Sequence, residues 1–107
     1  MLPQDLAGLS LQEAMIGASE APPSMRMEYR DSVARHGVAA VVALSPWLHD
    51  REYATFAVHA IARCAEFGAR SEAIAALRTA LRNPLMATVD VDVRRALDRL
   101  GVPPRDA

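Results

Sequence analysis

The sequence predicts an all-α fold of about six helices arranged as three antiparallel helical hairpins. Three observations carry this. Apolar residues recur at i, i+3, i+4 and i+7 through the middle of the chain. Gly37, Gly68 and Gly101 each follow such a stretch, where a helix C-cap glycine belongs. The chain also resembles itself: residues 40–68 laid on residues 73–101 agree at eight of 29 positions without a gap. With 107 residues, 51% hydrophobic and 23% charged, it reads as one domain able to bury a core without metals or disulfides.

Taken in order, "SLQE" (Ser10–Glu13) is a capping box that opens a short first helix. "APPS" then breaks the chain, and Ser24 is placed to cap a second helix running through Tyr29 and Val33 to His36. Met25 and Met27 read as gap-filling core on it. Residues 1–23 form an atypical N-terminal helix or arm, as the first unit of an array should.

Residues 38–68 form the first full hairpin. Its first helix contains "SPW". That segment aligns with "RTA" of the second copy, so it is either a kinked helix or a helix restarted with Ser45 as cap and Pro46 at N1. Trp47 at the bend is read as packing. Asp50 is the next N-cap. In the second helix, Tyr53, Phe56, Ala57, Ala60, Ile61, Cys64 and Phe67 make one apolar face, with Thr55, His59, Arg63 and Glu66 opposite.

Residues 69–101 repeat the plan. Ile74, Leu77 and Leu81 lie on one stripe, and Leu81 occupies the place of Leu48. Asn83 matches Asp50, with Pro84 at N1. "TVDVDV" alternates like a strand. The self-alignment overrides that, so Asp90–Leu100 is read as helix, with Val89 and Val91 near its start. A second register pairs Val58 with Val93 instead of Val91, which leaves the loop after Asn83 open by a turn. Residues 102–107 read as a flexible tail.

A helix, a short turn with an Asp or Asn cap, a second helix beginning "VRRAL", then Gly: this pattern resembles the HEAT-like family of α-helical repeats. "DVRRALDRLG" (Asp92–Gly101) carries the resemblance most closely, and Pro46 with Leu48 and Asp50 is similar to the kinked first helix of such repeats. The first copy departs from it in having "AVHAIARC" where Arg would follow Val58. The resemblance implies a right-handed stack of hairpins acting as a scaffold for proteins or, less often, nucleic acid, and it implies no reaction.

The chemistry-bearing residues point the same way. His36, His49 and His59 have no metal-ligand spacing, and no Cys-x2-Cys pair exists in a chain with one cysteine. Cys64 sits on the apolar stripe. Asp90 and Asp92 suit the positive end of a helix dipole. No catalytic, cofactor-binding or metal-binding residue is assigned, and no cofactor is expected.

All twelve basic residues are Arg. Such usage fits GC-rich coding of a bacterial type, and it also suits bidentate contacts to carboxylate or phosphate. Four Arg face seven acids in residues 1–53, and eight face six in residues 54–107. If second helices line one surface, Arg30, His59, Arg63, Arg95 and Arg99 share it, with Arg70, Arg78 and Arg82 on the other side. Helix pairs such as Asp98 with Arg94 or Arg95 would neutralise part of it.

The sequence therefore points to a protein-interaction module: an adaptor, regulator or inhibitor using those five residues. Its partner is another protein or a second copy of the chain. Nucleic acid is the alternative, membrane is not expected, and the absence of a signal-peptide pattern places it in the cytoplasm.

Overall fold

The computed structural model describes residues 8–82 and 87–102. Seven α-helices follow in order: α1 (Leu11–Glu20), α2 (Pro23–Arg26), α3 (Arg30–Ala34), α4 (Val38–Leu44), α5 (Ala54–Cys64), α6 (Arg70–Leu81) and α7 (Ala87–Arg99). Short 3₁₀ turns join α2 to α3 (Met27–Tyr29) and extend α4 (Ser45–His49) and α5 (Ala65–Phe67), leaving six helical rods. No strand occurs among the described residues, and "TVDVDV" lies within α7. Nor is any described helix long and apolar enough to cross a membrane.

The burial of the three valines shows why the helical reading prevails. A strand would align Val89, Val91 and Val93 on one face. In a helix Val91 turns roughly 200° away from Val89. Val89 and Val93 are buried, whereas Val91 is 44% exposed.

At the offset of 33 the fully buried Val58 falls on Val91, which is 44% exposed, so the self-match does not carry burial across at that position. The predicted cap at Asn83 and Pro84 lies outside the described residues, as do residues 103–107 of the predicted tail.

Helix α5 is the centre of the packing. It contacts α3, α4, α6 and α7, and Ala54, Phe56, Ala57, Val58, Ala60, Ile61 and Cys64 are buried in it. The three buried alanines let neighbours approach closely. What remains for solvent is a strip through Thr55, His59, Arg63 and Glu66.

Two closures follow one design. Gly68 and Gly101 have φ of 87° and 79°, and the amides of Ala69 and Val102 donate to Cys64 O (3.2 Å) and Leu97 O (3.1 Å). Each is a six-to-one Schellman closure that satisfies a terminal carbonyl. Val102 thus packs against the core rather than opening a tail.

Helix α1 ends at "APP" without such a glycine, and side chains take over. Arg26, 5% exposed, donates from Nε to Ala18 O (2.7 Å) and from Nη2 to Ala21 O (2.9 Å). The Tyr53 hydroxyl donates to Ser19 O (3.1 Å). Orphan carbonyls at the negative end of a helix favour a cation there. The Arg26 guanidinium lies 4.6 Å from the centre of the Tyr53 ring and reaches Glu52 Oε2 at 3.2 Å. On Tyr53 packs Trp47, its ring centre 4.7 Å away, with Phe56 at 6.0 Å from Trp47. The "SPW" segment therefore builds an aromatic wall beneath Arg26.

Several expectations are corrected. Ser45 is no cap: its hydroxyl donates back to Val41 O (2.8 Å), and the helix tightens into a 3₁₀ turn around Pro46. Ser24 caps nothing, because α2 begins at Pro23 and is then broken by a 3₁₀ turn. That turn leaves Met25 and Met27 exposed at 36% and 39%. Phe67, in the 3₁₀ tail of α5, is exposed too. Leu48 is buried, but Leu81 is only partly so. The Ser10–Glu13 capping box is present; Asp50 is not the N-cap of α5, which begins at Ala54 after Tyr53, and its Oδ1 accepts instead from the Glu52 amide (2.8 Å) in the preceding turn.

Candidate protein-docking groove

The solvent strip of α5 does not stand alone. Because α5 packs against both α3 and α7, side chains of all three helices border it. Arg30 from α3, His59 and Arg63 from α5, and Arg95 and Arg99 from α7 line one groove of about 500 Å³. These are the five residues singled out from the sequence. Ala62, Ala96 and Leu100 also line it, together with the acids Glu66 and Asp92.

Its two halves differ in charge state. On the α3–α5 side, Asp31 Oδ1 lies 3.0 Å from Nε of both Arg30 and Arg63. Arg63 also reaches Glu66 Oε1 at 2.7 Å, and its guanidinium sits 5.6 Å from the centre of the Phe67 ring. Partial burial pushes the Asp31 carboxyl up, but hydrogen bonds from Arg63 and Arg30 outweigh this and hold it below the usual aspartate value. The same contacts raise Arg63.

On the α7 side nothing comparable happens. Among the described residues, the side chains of Arg95, Arg99 and Asp92 make no hydrogen bond or ion pair. Both arginines are exposed, and Asp92 is half-buried. Arg95 and Arg99 also border a second groove of about 390 Å³ with Val91, Arg94 and Asp98, so they stand on the ridge of α7.

Neither a known protein family, nor a curated protein, nor a solved structure matches this chain.

The remaining candidates lie elsewhere. His36 Nε2 is 3.1 Å from Leu9 O, and His49 is exposed at the end of its turn. Arg70 donates to Leu100 O beyond the end of α7. Arg94 pairs with Asp90 at 2.6 Å, so the expected pairing of Arg94 with Asp98 is replaced by one in the first turn of α7. Cys64 is fully buried, which pushes its thiol up to about 12. No group of three or more metal-ligating side chains occurs among the described residues.

Sequence reasoning missed Arg26 and Asp31. An Arg shortly after a helix that ends in "APP" without a glycine is a readable signal for the first. Asp31 gave none, because its partner Arg63 is 32 residues away.

Proposed function

We propose that the chain is a non-enzymatic helical-repeat module of the HEAT-like kind, working in the cytoplasm as an adaptor, regulator or inhibitor by docking a partner protein in the groove between α5 and α7. One observation carries the reading: five side chains from three helices converge on one groove, and two of its arginines are left with no partner among the described residues. Arg is enriched at binding hot spots, and its planar fork matches a carboxylate. The side-by-side contacts of α3, α5 and α7, and the matching closures at Gly68 and Gly101, support the repeat reading. Cys64, buried and held as the thiol, is a poor nucleophile.

A protein is favoured over nucleic acid. Glu66 and Asp92 share the groove with its four arginines, and Asp31 pairs with two of them, whereas a phosphate-tracking surface is strongly basic.

Phe67 gives a direct test, being exposed beside Arg63. Replacing it with photoreactive benzoylphenylalanine in cells of the source organism should give a specific cross-linked protein adduct. The adduct should vanish in Arg95→Glu/Arg99→Glu. An adduct that persists in that double variant, or arises equally from position 42 on α4, would place docking elsewhere.

A further inference from the structure

Resting on that docking reading, we propose that Asp31 and Glu66 are selectivity residues of the groove: they occupy Arg30 and Arg63, so the groove takes a partner segment carrying two carboxylates about one helical turn apart and rejects polyanions.

Nε of Arg63 donates to Asp31 Oδ1 and its Nη2 lies 3.5 Å from Oδ2, while Nη1 faces Glu66. Its fork is filled from within the chain. Arg30 spends Nε on the same Asp31 oxygen. Arg30 is held through Nε alone, whereas Arg95 and Arg99 have no side-chain partner among the described residues. They are four residues apart on α7, which sets them about 5–6 Å apart at Cβ. Acids at i and i+3 or i+4 of a partner helix have the same spacing.

Asp92 supplies the second, independent mark. It is half-buried in the groove and accepts nothing among the described residues. Its natural complement is a donor: a backbone N–H, Lys or Arg on the occupant. A segment that offers carboxylates to Arg95 and Arg99 and a donor to Asp92 is a protein segment. A nucleic-acid backbone offers acceptors and like charge, and would meet Glu66 and Asp92 along the same path.

The carboxylates that neutralise Arg30 and Arg63 are exposed, at 51% for Asp31 and 65% for Glu66, so they can be changed without opening the core. Releasing both arginines should convert the groove into a polyanion site.

The experiment uses the full chain and two probes. One is a fluorescent oligothymidylate of about 12 nucleotides followed by anisotropy at about 50 mM salt, where phosphate contacts are strong. The other is a blocked Ala/Gln helical peptide with two Glu at i and i+4 and one Lys, followed by amide shifts of the ¹⁵N-labelled protein. Asp31→Asn/Glu66→Gln should bind the oligonucleotide at least about tenfold tighter than wild type. Its salt slope should steepen by about 1.4, about 0.7 per freed Arg on a single strand. Further change of Arg95→Gln/Arg99→Gln should abolish that gain, and Arg51→Gln, in the distant turn before α5, should not. Wild type should bind the peptide, with shifts at Arg95 and Arg99. If the double variant melts as wild type does yet gains no oligonucleotide affinity, the selectivity proposal is overturned while docking survives. If the peptide leaves Arg95 and Arg99 unmoved, the docking reading itself falls.

Discussion

Replacing Arg26 with Met keeps an unbranched apolar stem and deletes the guanidinium that closes α1. The loss can be worked from its contacts. Two short bonds from a charged donor to Ala18 O and Ala21 O disappear, each contributing about 1.5–3 kcal/mol net. The stacking on Tyr53 at 4.6 Å goes as well, contributing about 1–2 kcal/mol when desolvated. Against these stands the cost of keeping a guanidinium 5% exposed, several kcal/mol that the variant no longer carries. The Glu52 contact adds little, because Glu52 is 59% exposed. The balance is a destabilisation of about 2–4 kcal/mol. For a domain of this size that lowers Tm by roughly 8–20 °C. Arg26→Lys, which cannot reach both carbonyls from one ammonium, should fall between. Urea unfolding followed by far-UV circular dichroism gives the number. A loss under about 0.5 kcal/mol would mean that the end of α1 is satisfied by water and that Arg26 does not anchor it.

Other outcomes follow from burial. Leu48→Ala and Leu77→Ala empty fully packed sites and should cost about 2–5 kcal/mol each, whereas half-buried Leu81→Ala should cost less than half as much. Equal losses at all three would restore the strict repeat equivalence of Leu48 and Leu81. Cys64 should resist thiol reagents at pH 8 at a rate set by unfolding, because its thiol lies near 12. A cysteine in the unfolded chain titrates near 8.5, so it loses its proton first as pH rises. The folded state therefore keeps the full Cys64 contribution below about pH 8.5 and loses it as pH climbs towards 12, by on the order of 1–2 kcal/mol at pH 10. Cys64→Ala should show a smaller drop between pH 7 and pH 10, and an identical drop would mean that Cys64 is not the titrating group.

What could be read from the sequence was what local periodicity encodes. The stripe through Ala57, Ile61 and Cys64 is one helix face, so α5 and its solvent edge were legible, and with them His59 and Arg63. Gly68 and Gly101 were legible because a left-handed closure admits little else. The self-match was needed to see α7 past the alternation of Val89, Val91 and Val93. Features set by a change of helix type were not legible. The 3₁₀ turns at Met27–Tyr29 and Ala65–Phe67 rotate the chain faster per residue than an α-helix. They carry Met25, Met27 and Phe67 off the faces that a uniform period assigns. Contacts between distant helices were hidden as well. Asp31 looks like any solvated acid until α3 is set beside α5, and Arg26 looks like any surface arginine until α1 is seen to end without a glycine.

The central claim is that the surface shared by α5 and α7 takes the partner. The most direct measurement is the amide-shift map of the ¹⁵N-labelled chain with the cross-linked partner, or the Glu-pair peptide, added stepwise. The account predicts shifts confined to Arg30, the run from His59 to Glu66, and the run from Asp92 to Leu100, lost in Arg95→Glu/Arg99→Glu. Shifts centred instead on Val38 and Val42, the exposed apolar residues of α4, with the arginines unmoved, would contradict it.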